Sequence, residues 1–173
     1  MRMFNIDGSE GKMCGNAIRC VAKYVYDNNI ATKETLQIDT LSGIKTIELQ
    51  TTNGQMTSAT VDMGKAILEP MNIPVNIQEN APLINFPILI EDEPYSITTV
   101  SMGNPHCVIF CEDVHSIDLA KIGPKFESHP MFPESVNTEF IQVEDRNTIR
   151  MRVWERGSGE TLACGTGACA TVV

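Results

Sequence analysis

The chain has 173 residues, of which 42% are hydrophobic and 20% charged, a composition typical of a folded globular protein with an ordinary core. Its net charge of −9 argues against nucleic acid or an anionic membrane as a partner, since clustered Lys and Arg are needed to bind phosphate groups. Residues 1–15 lack the apolar run of a secretory signal, and no stretch reaches the roughly 18 apolar residues of a membrane span, so we expect a cytoplasmic protein.

The first half of the chain predicts one helix followed by strands. Apolar residues at helical spacing, with charged residues on the opposite side, predict a helix over 16–28. The Asn53-Gly54 pair is a strong signal for a tight hairpin turn. Short apolar or alternating runs predict strands over 36–39, 44–49 and 59–63.

The stretch over 64–87 predicts an irregular connection, because it carries Pro70, Pro74, Pro82 and Pro87. We place a domain boundary at its start. The expected domains are therefore 1–65, which carries Cys14, and 66–173, which carries Cys164.

The second half predicts a further set of strands. A short helical turn is expected at 118–122, and the start of a second helix is expected directly after Cys164. Apolar runs of strand type occur at 87–90, 95–100, 107–110, 139–143 and 148–154.

Two segments, 8–17 and 157–168, look like copies of each other. Each contains a Gly-Ser and a Glu, then Cys-Gly followed by Asn or Thr, and then small residues that open an apolar stretch. The central cysteines are Cys14 and Cys164. A duplicated thiol on a duplicated turn suggests two equivalent groups that face one another across a pseudo-twofold axis.

A cysteine at the start of a helix lies beside unpaired backbone N–H groups and the positive end of the helix dipole, and both favour thiolate over thiol. Gly15 and Gly165 let the backbone approach an anion such as a carboxylate, while Asn16 and Thr166 can add a side-chain hydrogen bond. One thiol and one thiolate could then invert a stereocentre next to a carboxylate.

The sequence shows no phosphate-binding loop, no dinucleotide-binding glycine motif and no lysine marked for pyridoxal phosphate, so we expect no cofactor. The six cysteines and three histidines do not follow the spacing of a zinc site, and we expect no metal and reduced thiols.

Five motifs in order resemble those of the diaminopimelate epimerase family. They are Phe4-Asn5-x-Asp7-Gly8-Ser9-Glu10, Cys14-Gly15-Asn16, Ser101-Met102-Gly103-Asn104-Pro105-His106, Val136-Asn137, and the run from Trp154 to Gly167. The resemblance implies an α+β fold of two pseudo-symmetric domains, each a β-barrel-like antiparallel or mixed sheet around a central helix. It also implies an isomerase that interconverts LL- and meso-diaminopimelate without a cofactor, in lysine biosynthesis.

Carried over to this sequence, the resemblance makes Cys14 and Cys164 the two acid–base residues. It places His106 and Glu155 close to the thiols, where they could set the charge of the sulfur. The residues implied to hold the diaminopimelate substrate are Asn5, Gly15, Asn16, Asn104, Asn137, Glu155, Arg156, Gly165 and Thr166.

Members of the family carry further segments before and after the part that this chain resembles, so we expect a truncated chain whose own activity is open. Two alternatives remain. One is a proline or hydroxyproline racemase, although that group typically has His after the first Cys-Gly, where Asn16 stands here. The other is an inactive or redox-responsive fragment. A homodimer is one option for the assembly, which the sequence does not fix.

Overall fold

A computed structural model describes residues 1–4, 8, 10–78 and 80–173 of the chain. The chain divides into two compact units, Met1–Gly64 and Lys65–Val173. Within the described residues, every helix is too short or too polar to cross a membrane.

The first unit packs one helix against a small antiparallel sheet. Helix α1 spans Gly15–Asp27. Three strands follow in the spatial order β1-β2-β3, with β1 at Thr35–Thr40, β2 at Gly43–Thr52 and β3 at Gln55–Val61. The element order agrees with the sequence-based expectation for this half of the chain.

Local chemistry explains the first unit well. Ile18 and Ala22 lie on one face of α1, are fully buried and pack with Ile47 in the core. Between β2 and β3, Asn53 and Gly54 have φ angles of 53° and 76°, the left-handed pair that a tight hairpin turn requires. The helix and the hairpin thus follow directly from residue spacing and turn residues.

The second unit is built on a six-stranded sheet in the order β4-β5-β6-β7-β8-β9. Strands β6 and β7 are parallel and all other neighbours are antiparallel. Single 3-10 turns lie at Pro70–Asn72 and Val114–Ser116. The strands span Phe86–Ile90, Glu93–Ser101, Pro105–Phe110, Asn137–Asp145, Thr148–Glu155 and Gly159–Thr161, and helices α2 and α3 span Leu119–Glu127 and Gly165–Ala170.

The parallel strands β6 and β7 present two different faces. Ile109 and Phe140 are register partners and belong to the hydrophobic core that also contains residues of α2. Val108 and Glu139 are the preceding register partners and therefore point to the opposite side of the sheet. Helix α3 packs against β6 and β7. As shown below, polar residues of this opposite side contact the start of α3.

Helix α2 is longer than the short turn expected at 118–122, because it continues through Pro124 to Glu127. A proline inside a helix costs free energy, so tertiary packing must offset it. Phe126 provides that packing: it is fully buried, and its ring meets Tyr95 and Phe140 edge to face at centroid distances of 5.1 and 5.7 Å. The sequence pattern also missed β9, whose three residues are too few to show periodicity.

Candidate active site

Cys14 is the N-cap residue of α1, with an extended backbone at φ −141° and ψ 113°. Its sulfur accepts a hydrogen bond from the backbone N–H of Ala17 at 3.4 Å. Asn16 accepts a hydrogen bond at Oδ1 from Nη2 of Arg19 at 2.6 Å, and Arg19 also donates to the carbonyl of Gly15. The first turn of α1 is therefore ordered around the partly buried thiol.

Cys164 is the N-cap residue of α3 and repeats the geometry of Cys14 in the second unit. Its backbone has φ −122° and ψ 114°, and its sulfur accepts the N–H of Gly167 at 3.4 Å. The hydroxyl of Thr166 lies 3.3 Å from the same sulfur. Cys164 differs from Cys14 in being buried, with 6% of its surface exposed.

Burial, with smaller contributions from the carboxylates of Glu155 and Glu139, raises the pKa of the Cys164 thiol to about 12. The hydrogen bonds from Thr166 and from the backbone N–H of Gly167 act in the opposite direction. The sequence-based expectation that the helix start favours thiolate was therefore wrong for Cys164, because desolvation outweighs the donors.

A chain of polar side chains leads away from Cys164. Nδ2 of Asn104 donates to Oγ1 of Thr166 at 3.2 Å, and Oδ1 of Asn104 lies 3.1 Å from Nε2 of His106. On the other side of the imidazole, Nδ1 lies 2.7 Å from Oε1 of Glu139. His106 is thus connected to Cys164 through Asn104 and Thr166.

The remaining candidate residues of the second unit lie at the ends of β7 and β8. The side chain of Asn137 joins two backbone groups, donating to the carbonyl of Pro105 at 2.9 Å and accepting the N–H of Arg156 at 3.0 Å. Nη1 of Arg156 donates to the carbonyl of Glu134 at 2.8 Å. The carboxylate of Glu155 accepts a hydrogen bond from the hydroxyl of Thr161.

The candidate residues divide between the two units. Cys14, Gly15 and Asn16 lie together in the first unit, whereas Asn5 lies outside the described residues. All the others belong to the second unit: Asn104, His106, Asn137, Glu155, Arg156, Cys164, Gly165 and Thr166.

Sequence reasoning missed Glu139. The one available signal was its place in a strand of largely apolar character, next to Phe140 and Ile141. A charged residue in such a strand needs a partner, but the sequence alone does not show that the partner is His106, 33 positions away.

The family model described as diaminopimelate epimerase matches residues 1–69 and 98–173 of the chain. The chain is 54% identical over its whole length to the diaminopimelate epimerase of Acetivibrio thermocellus, and covers 61% of that protein. It is also 54% identical to that of Methanococcus maripaludis strain S2, over 99% of this chain and 62% of the relative.

Solved structures share the fold at low identity. A hydroxyproline epimerase from Agrobacterium vitis superposes with a TM-score of 0.66 at 14% identity, over 92% of this chain and 50% of that one. A Bacillus anthracis phenazine biosynthesis protein of the PhzF family superposes with a TM-score of 0.55 at 17% identity, over 97% and 58% of the two chains. The predicted α+β fold class is confirmed.

The chain thus spans about three fifths of the length of the curated relatives that it matches, which are 61% and 62% covered. The family model nevertheless matches both cysteine turns and the Asn104–His106 segment between them. The resemblance inferred from the five motifs is confirmed: the chain belongs to the diaminopimelate epimerase family.

Proposed function

We propose that the chain carries the acid–base residues of a cofactor-independent epimerase that interconverts LL- and meso-diaminopimelate, a cytoplasmic reaction of lysine biosynthesis. Membership of the family and the names of its relatives support this proposal. The chain covers 61% of the Acetivibrio thermocellus relative, so the activity of that protein is a proposal for this chain and is tested on it directly.

One observation carries the proposal: each unit places a cysteine at the N-cap of a helix with its sulfur turned towards the first-turn backbone. The sulfur of Cys14 accepts the N–H of Ala17, and the sulfur of Cys164 accepts the N–H of Gly167, both at 3.4 Å. Such donors stabilise negative charge on sulfur, which a cysteine acting as a base or regenerated as a thiolate requires.

In the proposed reaction, one cysteine thiolate removes the α-proton of the substrate, and the other cysteine donates its thiol proton to the opposite face of the resulting carbanion. The first sulfur ends protonated and the second ends as thiolate, so proton and charge balance. The raised pKa of Cys164 favours its thiol form at neutral pH. We therefore assign Cys164 the acid role, and Cys14 the base role, in the direction that starts from this state.

The turns of Gly15-Asn16 and Gly165-Thr166 are proposed to bind substrate, because backbone N–H groups at the start of a helix can stabilise the charge of a carboxylate or carbanion. Asn5, Asn104, Asn137, Glu155 and Arg156 are proposed to hold the rest of the substrate. Within the part of the chain that the structure describes, one of the five N–H groups of the Arg156 guanidinium reaches Glu134, which leaves the others for this role.

Deuterium exchange tests the proposal. Incubation of the reduced chain with LL-diaminopimelate in D₂O should place deuterium at the α-carbon and produce the meso isomer. Cys14→Ala and Cys164→Ala should each lower exchange by at least about a hundredfold. Cys20→Ala is the matched control, because Cys20 is an exposed cysteine in the middle of α1 and should leave exchange unchanged.

The outcomes separate the competing functions. Exchange of proline or hydroxyproline instead of diaminopimelate would identify the racemase alternative. A folded chain that exchanges none of these substrates would identify an inactive fragment. Wild-type exchange in Cys14→Ala or Cys164→Ala would refute the two-cysteine mechanism even if diaminopimelate is the substrate.

A further inference from the structure

The side chains of His106 and Glu139 form a fully buried pair that the proposed two-cysteine chemistry does not itself require. Both side chains are 0% exposed, and Nδ1 lies 2.7 Å from Oε1. Among the described residues, Oε2 of Glu139 has no hydrogen-bond partner. A buried carboxylate oxygen without a partner is costly, so its retention in the fold calls for a reason.

The hydrogen-bond directions fix the protons on His106. Because Nδ2 of Asn104 donates to Thr166, the atom of Asn104 that faces Nε2 of His106 is the acceptor Oδ1. Nε2 therefore carries a proton. A second proton lies between Nδ1 and the carboxylate of Glu139, since an ionised carboxylate can only accept. The pair is neutral overall, whichever of the two atoms holds that second proton.

The hydrogen bonds between His106 and Cys164 are then all donated in the same direction, towards the sulfur. His106 donates to Asn104, and Asn104 donates to Thr166. The hydroxyl oxygen of Thr166, which accepts that hydrogen bond, lies 3.3 Å from Sγ of Cys164, so its hydrogen is free to be donated to the sulfur. We call His106, Asn104 and Thr166 the relay.

Loss of the proton on Nε2 would reverse the relay. Nε2 would become an acceptor facing Oδ1 of Asn104, so the amide would have to rotate and present Oδ1 to Thr166. The hydroxyl of Thr166 would then donate to Asn104 and no longer to the sulfur. Whether the sulfur of Cys164 receives a hydrogen bond from Thr166 therefore depends on the protonation of an imidazole that does not contact the sulfur.

The carboxylate of Glu139 lies beside Nδ1 of His106, where its charge favours a proton on both ring nitrogens. The same carboxylate packs against the helical turn that follows Cys164. A Cβ added at Gly167 would lie 2.5 Å from Oε1 of Glu139, so the carboxylate packs directly on the first turn of α3. The other titratable groups that act on this region are the buried thiol of Cys107 and the carboxylate of Glu155.

We propose that Glu139 is a positioning residue that keeps Nε2 of His106 donating, and so directs the hydroxyl hydrogen of Thr166 at the sulfur of Cys164. The relay thereby stabilises the thiolate that remains after Cys164 gives up its proton. The importance of this step for turnover rests on the proposed function. The effect of Glu139 on the thiol of Cys164 is independent of the proposed function.

The test is the pH dependence of Cys164 alkylation by iodoacetamide in the full chain without substrate, read by peptide mass spectrometry. Glu139→Gln keeps the shape of the side chain but removes the charge that holds a second proton on the imidazole; where Oε1 of the Gln accepts from Nδ1–H, Nε2 has no proton and the relay reverses. We expect the apparent pKa of Cys164 to rise and its alkylation at pH 9 to slow about fivefold or more.

The sign of the change decides between explanations. If Glu139 acted only through its negative charge, removing it would lower the pKa of Cys164 and speed alkylation. This result overturns the proposal. An unchanged rate in folded Glu139→Gln overturns it when Asn104→Leu is unchanged as well, because Asn104→Leu interrupts the relay whether or not the Gln amide donates to Nδ1. Glu144→Gln is the matched control on the same strand, because Glu144 is an exposed residue paired with Arg150 and should leave Cys164 unaffected.

A double-mutant cycle tests the route. In a Thr166→Val background, Glu139→Gln should cause no further change, since the relay ends at the lost hydroxyl. In a Thr166→Ser background, which keeps the hydroxyl, the full response should return. If Glu139→Gln does not fold, Asn104→Leu interrupts the relay at a partly exposed position and should slow alkylation equally. An unchanged rate in Asn104→Leu overturns the proposal.

Alkylation and turnover report separately. Slower alkylation of Cys164 in Glu139→Gln, together with no deuterium exchange in the wild-type chain, would support the relay and refute the proposed function. Exchange in the wild type with unaltered alkylation in both Glu139→Gln and Asn104→Leu would do the reverse.

Discussion

Gly167→Ala is the substitution for which the structure gives the clearest magnitude. The new Cβ would lie 2.5 Å from Oε1 of Glu139 and 3.1 Å from its Cγ and Cδ. Comfortable separations are about 3.5 to 4.0 Å, so the carboxylate must move by roughly 1 Å. Glu139 is fully buried and is held 2.7 Å from His106, which leaves it no room to move without loss of that contact.

Two effects oppose each other in this variant. Alanine is a better helix former than glycine by about 1 kcal/mol. Overpacking a rigid site costs about 1 to 3 kcal/mol, and the loss of one contact of a buried charged pair adds to it. We expect a net loss of about 2 kcal/mol in the free energy of unfolding, which for a chain of this size lowers Tm by about 4 to 8 °C.

Thermal and urea unfolding followed by circular dichroism measure this loss. The same Gly167→Ala substitution in a Glu139→Ala background meets no carboxylate, so there the helix propensity should prevail and stability should rise by up to about 1 kcal/mol. A Glu139→Gln background keeps the bulk and should keep the penalty. A stabilising effect of Gly167→Ala in the wild-type chain would refute the close packing of Glu139 on α3.

Three further predictions follow from burial and charge. In alkylation of the native chain at pH 8, exposed Cys20 should react well before Cys164, whose pKa is raised to about 12 by burial; equal rates would contradict that burial. The pKa of Asp27 is held below its usual value chiefly by the hydrogen bond from Lys23, so its stabilising effect is present at neutral pH and is lost as the pH falls through the lowered value. Asp27→Asn should therefore lower the urea midpoint at pH 7 and leave it unchanged near pH 2, whereas equal effects at both values would exclude an ionic origin. Phe126→Ala removes a fully buried ring that contacts two other rings, and should cost about 3 to 5 kcal/mol in urea unfolding; a loss below about 1 kcal/mol would contradict the packing of α2.

Much of the first unit and the helix starts at Cys14 and Cys164 could be predicted because the signals are local. Helical spacing located α1 to within one residue at each end, and Asn53-Gly54 located the turn between β2 and β3. The duplicated Cys-Gly turns marked the starts of two helices, since capping depends on a few adjacent residues.

Only the tertiary structure decided the features that depend on distant neighbours. Helix α2 continues past Pro124 because Phe126 is packed between rings from two strands. Glu139 and His106 meet because β6 and β7 pair in parallel, and the thiol of Cys164 is kept protonated by burial that its own sequence context does not reveal. Backbone preferences are set by adjacent residues and can be read along the chain, whereas desolvation and long-range pairing arise only when the sheet forms and distant residues remove one another from water.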